Sequence, residues 1–339
     1  MVRGVAVLIV VSALGLLPCR ASAQRPEWTL QWENDAFIRA GDDDDYTNGI
    51  RLRVDIARAL WWTRLAPGYK NCSEETDQSK PCLRTTLMFG QNFYTPHDIT
   101  IDTVQEDERP YAAWLYGGLA ARIATLKRLT SVELQIGTTG KWALGEYVQT
   151  KVHSLPIIRE HSPQPKGWAH QVKPVPGLVG IIASWDDKWA FERTTGSPAF
   201  VYADAIPSYR LSVGNVHTHA AAGAIVRLGY NLQRRWTEKI GPTLLAPSTS
   251  PAGRDFFWNG FLGLEGRAVA WNALLQHETY TPRRLEPIKR DVLDVEAGFA
   301  VGYRNLSGGF RWVSRSPEFD GGRTSRFAGP FITWPAQIR

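Results

Sequence analysis

Two polar side chains with the chemistry to activate water lie four positions apart near the middle of this 339-residue sequence. Gln149 and His153 follow Gly145 and Glu146, and the spacing predicts that Glu146, Gln149 and His153 share one face of a short helix, which Pro156 ends. A neutral histidine can accept a proton from water near neutral pH. His153 is therefore a candidate general base, although a histidine on a helix surface can equally be paired with a neighbour.

The same segment carries an apolar pattern. Leu144, Val148 and Val152 are spaced to form an apolar face behind the polar residues of the helix. The stretch that follows, from Ser154 to Lys173, contains several Pro and Gly residues and one aromatic residue, Trp168. We therefore expect a short helix followed by a long loop. Because Gln and His share one face of this helix, the helix is a candidate functional site.

A second group of oxygen-bearing residues closes the first predicted strand. By alternation, Asp35 should share the face of Glu33, while Asn34 points the other way. A carboxylate with neighbouring oxygen ligands suits a hard cation such as Ca²⁺. Asn-Asp is also a common turn pair, so the motif alone leaves both interpretations open. The hydroxyl of Thr47 could face the same pocket as Asp35.

Other chemistry has little support in the sequence. The aspartate run from Asp42 to Asp45 is more typical of a solvated loop than of a metal site, and Asn48-Gly49 predicts a turn before a strand that begins at Ile50. There is no G-x-S-x-G motif for a nucleophilic serine. The remaining histidines lack zinc-binding spacing, and glycine-rich phosphate loops are absent.

Period-two alternation predicts the strands that must position these groups. It is clearest in four segments: Trp28–Glu33, Ile50–Ala57, Ser131–Ile136 and Asp294–Arg304. Such strands suit the wall of a membrane barrel, with the apolar face toward lipid, although a soluble β-sandwich can alternate similarly. The 14 Trp and 11 Tyr residues, and apparent strand lengths of about nine to eleven residues, favour the barrel. We predict one all-β domain, residues 24–339, folded as a transmembrane antiparallel β-barrel of roughly ten to twelve strands.

The N-terminus predicts export. Arg3, the apolar stretch Val5 to Leu17 and the small residues Ala21-Ser22-Ala23 read as a secretory signal peptide, residues 1–23. In an oxidising compartment, Cys72 and Cys82 are expected to form a disulfide rather than a metal pair.

Composition narrows the class of protein further. A mean hydropathy of −0.26 excludes a bundle of membrane-spanning helices, and 43% hydrophobic residues exclude a disordered chain. The net charge of +6 could suit nucleic acid, but an exported protein rarely meets any. A negatively charged lipid surface, such as phosphorylated lipopolysaccharide, is the expected anionic partner.

Short motifs follow one another in a fixed order along the chain. They are Glu33-Asn34-Asp35, Asp45-Tyr46-Thr47-Asn48-Gly49, Gly90-Gln91-Asn92-Phe93-Tyr94-Thr95-Pro96, Glu108-Arg109-Pro110-Tyr111-Ala112-Ala113-Trp114-Leu115-Tyr116, Gly145-Glu146-Tyr147-Val148-Gln149 with His153, Gly167-Trp168 with Gln171, Gly214-Asn215-Val216, Arg227-Leu228-Gly229-Tyr230-Asn231-Leu232, and Arg315-Ser316-Pro317-Glu318-Phe319. In this order they resemble the outer-membrane lipid A 3′-O-deacylases, the LpxR-type family. The resemblance covers nearly the whole predicted mature chain, and the order of the motifs makes it specific.

The resemblance implies a twelve-stranded barrel in the Gram-negative outer membrane, with its site between the barrel wall and a short helix. It implies a Ca²⁺-dependent hydrolase that removes the 3′-linked acyloxyacyl group of lipid A. His153 resembles the general base that activates water, Gln149 its companion on the helix face, and Thr47 a polar group of the same pocket. Asn34 and Asp35 resemble the metal and oxyanion end of the site.

The resemblance also implies substrate-binding roles for Arg109 and Glu160. Two alternatives remain open: a phospholipase-like esterase on the same barrel, and a barrel without catalysis that serves as a porin or structural protein. The expected partners are lipid A or lipopolysaccharide and the membrane itself, with no nucleic acid, and the barrel is expected to be a monomer.

Overall fold

The computed structural model describes residues 27–38, 45–56, 70–71, 81–125, 128–156, 162–175, 179–189, 191–193, 202–230, 232, 236–240, 244–248, 256–283, 287–303 and 306–335. The predicted signal peptide lies outside the described residues, as do Cys72 and Glu160. Cys82 is disulfide-bonded, in agreement with the prediction that this cysteine is oxidised, while the pairing with Cys72 stays a prediction.

The described residues are mostly β-strand. The strands are β1 Glu27–Asn34, β2 Asp45–Ile56, β3 Lys70–Asn71, β4 Cys82–Thr95, β5 Ala112–Ala124, β6 Arg128–Thr139, β7 Gly180–Trp189, β8 Phe191–Arg193, β9 Tyr202–Gly214, β10 His217–Tyr230, β11 Trp236–Ile240, β12 Leu244–Ser248, β13 Phe257–Asn272, β14 Asp291–Tyr303, β15 Leu306–Arg315 and β16 Ser325–Pro335. The helices are α1 Gly145–His153, α2 Ala273–Gln276 and the 3₁₀ turns Asp35–Phe37, Gly140–Ala143 and Gly167–His170. Within the described ranges, no helix has the length and apolar character needed to cross a membrane.

Twelve of these strands form a closed antiparallel ring. Its order is β1-β2-β4-β5-β6-β7-β9-β10-β13-β14-β15-β16, and β1 pairs with β16 to close it. The short strand β8 extends the pairing on β9, β3 adds a parallel pair beside Cys82, and β11 and β12 form a separate hairpin. The prediction of a barrel is confirmed. The wall strands run from 8 residues in β1 to 16 in β13, so several are longer than the nine to eleven predicted from membrane thickness and extend beyond it.

The two faces of the wall differ in the predicted sense. On β1, Thr29, Gln31 and Glu33 are buried toward the lumen. The outward residues are largely apolar and exposed, and they include Trp32, Ile50, Val132, Leu134, Ile136, Leu228, Leu264, Val295, Phe299 and Val301. This apolar outer surface is what a barrel needs where lipid surrounds it.

Charged side chains fill the lumen. Arg311 reaches Glu33 at 2.9 Å and also pairs with Glu296, while Arg267 lies 3.0 Å from Asp294. Further buried pairs join Arg51 to Glu133, Arg122 to Asp55, Arg210 to Asp186 and Arg227 to Asp204. Removing a charge from water is costly, so each of these ions is held against one of opposite sign.

One end of the ring carries both α-helices, and we call it the helical end. Here α2 follows β13 directly, and the backbone N–H of Ala273 donates to the carbonyl of Val216 at 2.8 Å. Leu274 packs with Tyr46, Tyr94 and Trp114 in the main buried apolar cluster. The lumen is therefore packed with aromatic side chains at this end, while α1 lies at the same end on the outside of the wall.

Candidate active site on the outer wall

Helix α1 packs on the outside of the barrel. On β5, Trp114 points into the lumen cluster, so its neighbours Ala113 and Leu115 point outward, where they join a second buried cluster with Trp168. Gly145, the first residue of α1, lies against this cluster: a Cβ there would be 2.4 Å from the Trp168 ring and 2.8 Å from the Ala113 Cβ. The helix can approach the wall because this position has no side chain.

His153 lies at the end of α1 and is almost fully buried. Its Nδ1 is 2.6 Å from the carbonyl oxygen of Pro163, in the loop that follows the helix. Because a carbonyl can only accept, Nδ1 must carry the hydrogen of this bond. The neutral ring then has its lone pair on Nε2, the nitrogen that can accept a proton.

Gln149 lies one turn before His153 on the same buried face. Its Oε1 accepts a hydrogen bond from the Trp168 indole Nε1 at 2.7 Å. Because indole nitrogen is only a donor, this bond fixes which way the amide points, and the NH₂ group of Gln149 is presented on the other side. A buried amide held in this way can donate hydrogen bonds without first reorganising.

The helix has an unexpected orientation around its axis. Gln149 and His153 share the buried face as predicted, but Glu146, predicted to lie with them, is exposed. Of the predicted apolar face, Leu144 and Val152 are exposed, whereas Val148 is partly buried against the cluster that contains Trp168. The periodicity finds the helix, but it cannot show which face meets the wall, because here the polar residues do.

Asn34 and Asp35 lie at the helical end of β1. The backbone N–H of Ala36 donates to Asn34 Oδ1 and to Asp35 Oδ1, each at 2.8 Å, so the two side-chain oxygens converge. The strand ends at Asn34 and Asp35 begins a 3₁₀ turn, so the alternation that would place Asp35 with Glu33 does not extend to it. Asp35 is nevertheless buried. Asn34 and Asp35 thus form the predicted turn and also present the two oxygens of the predicted cation site.

Thr47 occupies a bulge in β2. The register against β4 shifts between Tyr46 and Asn48, leaving Thr47 as the additional residue, and its Oγ1 is 2.7 Å from Thr95 Oγ1. The predicted turn at Asn48-Gly49 is wrong, because β2 begins at Asp45 and these residues are within it. The bulge lets Tyr46 face the lumen while Asn48, bonded to the exposed Trp32, faces outward.

The structure therefore brings four predicted site residues to one region. Asn34 bonds outward-facing Asn48 through Nδ2 at 3.3 Å, and Thr47 lies next to it on β2. In the ring, β4 follows β2 and β5 follows β4. Helix α1, which carries Gln149 and His153, packs on the outside of β5. All four lie at the helical end of the outer wall.

Arg109 lies on the other side of the wall. Its side chain is 1% exposed, and its guanidinium lies 4.2 Å from the ring centre of Tyr94 in the lumen cluster. Its Nη1 is 3.4 Å from Glu318 Oε2 and 3.7 Å from Asp45 Oδ1. A substrate-binding role for Arg109 stays a prediction to which this burial lends no support. Glu160, the other predicted substrate-binding residue, is outside the described ranges.

Three residues that position the site were not assigned roles from the sequence. Trp168 orients Gln149, Pro163 orients His153, and Thr95 bonds Thr47. Trp168 and Thr95 belong to the motifs Gly167-Trp168 and Gly90 to Pro96, so the motifs contained the signal. Pro163 acts through its backbone carbonyl, which no side-chain pattern can indicate.

The closed ring, the apolar outer face and the helix-covered site define an outer-membrane β-barrel. The family model described as outer membrane protein LpxR matches residues 6–333, and the chain belongs to that family. The structure of LpxR from Salmonella typhimurium is similar, with a TM-score of 0.69 at 20% sequence identity over 91% of this chain and 100% of that one. This likeness shows the shared fold.

Two autotransporter structures are more distant. The β domain of Bordetella BrkA has a TM-score of 0.43 at 9% identity, covering 93% of this chain and 100% of that chain. The NalP translocator domain from Neisseria meningitidis has a TM-score of 0.40 at 10% identity, covering 98% and 95%. No curated protein sequence matches this chain significantly.

Proposed function

We propose that this protein is a lipid A deacylase-like esterase of the Gram-negative outer membrane, which hydrolyses the 3′-linked acyloxyacyl ester of lipid A with water activated by His153. The observation that carries the proposal is the buried pair of Gln149 and His153 on the outer wall, with His153 oriented by Pro163. A site on the outer wall lies on the lipid side of the barrel rather than in the lumen. Membership of the LpxR family supports the substrate class.

In the proposed reaction, His153 Nε2 takes a proton from water as that water attacks the ester carbonyl. When the tetrahedral intermediate collapses, the bond to the sugar oxygen breaks and the imidazolium returns its proton to that oxygen, which releases the acid and the alcohol. The carbonyl of Pro163 holds the ring through Nδ1 and stabilises the imidazolium that forms, in the way that a carbonyl or carboxylate behind a catalytic histidine does. The NH₂ group of Gln149, fixed by Trp168, can donate to the attacking water or to the developing oxyanion. Thr47 and Asn34 add polar groups at the opposite side of the pocket, and no covalent intermediate is required.

The family resemblance also implies Ca²⁺, and the residues at the end of β1 fit such an ion in their chemistry. Asn34 and Asp35 offer one amide and one carboxylate oxygen that already converge on the same N–H, and hard cations prefer such oxygens. The described residues contain no group of three or more His, Cys, Asp or Glu side chains placed to hold a metal. On the chemistry of their two converging oxygens, we propose Asn34 and Asp35 as two of the ion's ligands, supplemented by other oxygens. Bound there, Ca²⁺ would polarise the ester carbonyl.

The alternatives predict different properties. A porin needs a water-filled passage, whereas the described lumen carries buried ion pairs and an apolar cluster at its helical end. A phospholipase-like esterase on the same wall would use the same water chemistry on a different lipid. Only the lipid products would distinguish such an esterase from the proposed lipid A deacylase.

Mass spectrometry of cellular lipids tests the proposed substrate. Cells that express the protein should contain lipid A lacking the 3′-acyloxyacyl group, and cells without it should not. His153→Ala should lower the rate by roughly two to four orders of magnitude, the usual worth of a general base. His97→Ala is the matched control, because His97 is an exposed histidine in a neighbouring loop. Production of lysophospholipid with unchanged lipid A would instead identify a phospholipase. A His153→Ala variant that is folded and fully active would show that another residue is the general base.

Chelation tests the metal. EGTA should abolish deacylation by the purified barrel, Ca²⁺ should restore it, and Asp35→Ala should have the effect of the chelator. The matched control is Asp98→Ala, because Asp98 also accepts a backbone N–H, that of Thr100 at 2.8 Å, but lies exposed in a loop. Undiminished activity in EGTA would mean that protein groups alone polarise the carbonyl.

A further inference from the structure

The outward side of α1 exposes apolar side chains together with the charged Glu146 and Lys151, while its buried face is polar. Its polar residues Gln149 and His153 are buried against the wall, whereas Tyr147 is 61% exposed and Val152 is also exposed. A helix surrounded by water turns its apolar side chains toward the protein. The arrangement suits a helix whose outer surroundings are less polar than the wall-side pocket.

The exposed apolar side chains of this helix continue the lipid-facing surface of the barrel. Val132, Leu134 and Ile136 are the exposed outward residues of β6, the strand that leads through a 3₁₀ turn into α1. Within that turn, Trp142 is 63% exposed. Exposed apolar side chains thus continue from the wall strand through the 3₁₀ turn to the helix, with the charged Lys141 and Glu146 among them.

Two lysines beside this face indicate which part of a membrane it meets. Lys141 Nζ is 4.3 Å from the ring centre of Tyr280, and Lys151 Nζ is 5.9 Å from that of Tyr147. Tryptophan and tyrosine favour the boundary between acyl chains and headgroups, and lysine extends its amine from that depth to lipid phosphates. Aromatic residues and lysines together at the rim of an apolar surface are typical of that boundary.

We propose that the outward side of α1 is seated in the membrane lipid, at the boundary between acyl chains and headgroups, with Lys141 and Lys151 against lipid phosphates. The residues that we assign to this α1 lipid face are Trp142, Leu144, Tyr147, Val152 and Leu155. This contact goes beyond the proposed reaction, because a barrel without esterase activity would make it too. It places the helix that carries His153 within the membrane surface, where it covers the site.

Environment-sensitive labels on the full-length protein, reconstituted in phosphatidylcholine vesicles, test the contact. Tyr147→Cys and Val152→Cys each place a label on the α1 lipid face. Leu134→Cys is the lipid-exposed reference, and Glu278→Cys is the water-exposed reference at the same end of the barrel, since its side chain is 76% exposed. Unmutated protein, in which Cys82 is disulfide-bonded, measures background labelling.

The labels on α1 should show blue-shifted emission and be quenched by brominated lipid to within about twofold of the Leu134→Cys label. Emission and quenching like those of the Glu278→Cys label at both helix positions would overturn the proposal. Cross-linking between labelled copies without quenching would also overturn it, because the face would then be an interface between two chains. Two positions are used so that a folding defect in one variant still leaves a result.

The lysines are tested by lipid charge. Adding phosphatidylglycerol to the vesicles should draw the Tyr147→Cys label deeper, and the double variant Lys141→Gln, Lys151→Gln should remove that shift. Lys289→Gln, a change to an exposed lysine that pairs with Asp320 at the same end, should leave it unchanged. A shift that persists in the double variant would show that these lysines do not meet lipid phosphate. Neither measurement depends on esterase activity, so failure here leaves the proposed reaction untouched.

Discussion

Arg109 joins separate segments of the chain inside the barrel. Its guanidinium lies between Glu318, beyond the end of β15, and Asp45, at the start of β2, and it covers the ring of Tyr94. Asp45 has a positive φ of 58°, a conformation that an L residue adopts only when its surroundings hold it there. Arg109 therefore helps to fix the strand end from which the Thr47 bulge projects.

Arg109→Gln should destabilise the barrel by about 3–5 kcal/mol, because it leaves two buried carboxylates without this cation. The measurement is the temperature at which the compact band on an unboiled gel is lost. Arg323→Gln removes a partly exposed arginine that pairs with Glu108 and should change that temperature little. Equal stability of the two variants would contradict a structural role for Arg109.

Glu318 makes this cluster sensitive to acid. Burial raises the pKa of this carboxyl, but Arg315, Arg109 and Arg267 outweigh burial and hold it below its ordinary 4.5. A lowered pKa in the folded state stabilises the fold above about pH 4.5, and this contribution is lost as the pH falls toward the folded-state value. Wild-type thermal stability should therefore fall in acid, and Glu318→Gln should be less stable at neutral pH with a smaller acid-dependent fall.

Sequence reasoning was most successful where a role depends on residue type. It placed Gln149 and His153 together, and their shared buried face is observed. It could not foresee that Arg109 turns into the lumen, because its partner Glu318 is 209 residues away in the chain. It also missed the backbone carbonyl of Pro163, since every residue carries one.

At the scale of elements, α1 depends on close contact with the wall. Gly145→Ala would place a methyl group against the Trp168 ring and the Ala113 Cβ, so Trp168 must move and its bond to Gln149 weakens. We expect activity to fall at least tenfold while the barrel still forms. Gly266→Ala is the matched control, because no atom lies within 4 Å of a Cβ at that position of β13. Equal activity of the two variants would argue against Trp168 as the residue that orients Gln149.

The strands were more predictable than the helix. Alternation along β1, β6 and β14 fixed both the element and its two faces, because an outer face in lipid and an inner face in a polar lumen impose opposite preferences at successive residues. Helical spacing, applied to α1, predicted the wrong exposure for Glu146 and for Val152. A helix on a barrel wall has lipid on one side and a polar pocket on the other, so hydrophobicity does not mark its inner face.

For the whole molecule, ring closure predicts behaviour on gels. Because β1 pairs with β16, every wall strand has two hydrogen-bonded neighbours, and the ring should resist detergent until heated. The protein should need detergent for purification, show a strand-dominated circular dichroism spectrum and migrate faster unboiled than boiled. A monodisperse sample in detergent-free buffer would contradict an apolar outer wall.

The ion pairs that fill the lumen are a property of the whole molecule alone. Arg311 and Glu33 are 278 residues apart in sequence, and only closure of the ring, which pairs β16 with β1, brings β15 close to β1. The sequence shows an excess of charged residues on the inward faces, but which arginine meets which carboxylate depends on the register of each strand. Local patterns contain no information about that partnership.

The location of Gln149 and His153 on the outer wall has a kinetic consequence. A substrate that reaches them through the membrane plane is encountered in two dimensions, so its mole fraction in the lipid film, rather than its concentration in the bulk sample, should set the turnover rate. In mixed micelles, adding inert detergent at constant total substrate should slow the reaction, and adding substrate and detergent in fixed proportion should leave the rate per enzyme unchanged once the enzyme is saturated with micelles. A rate that followed bulk concentration alone would mean that substrate enters from water. If the rate follows the mole fraction instead, the protein behaves kinetically as an enzyme of the membrane surface, limited by lateral diffusion and by how crowded that surface is with other lipids.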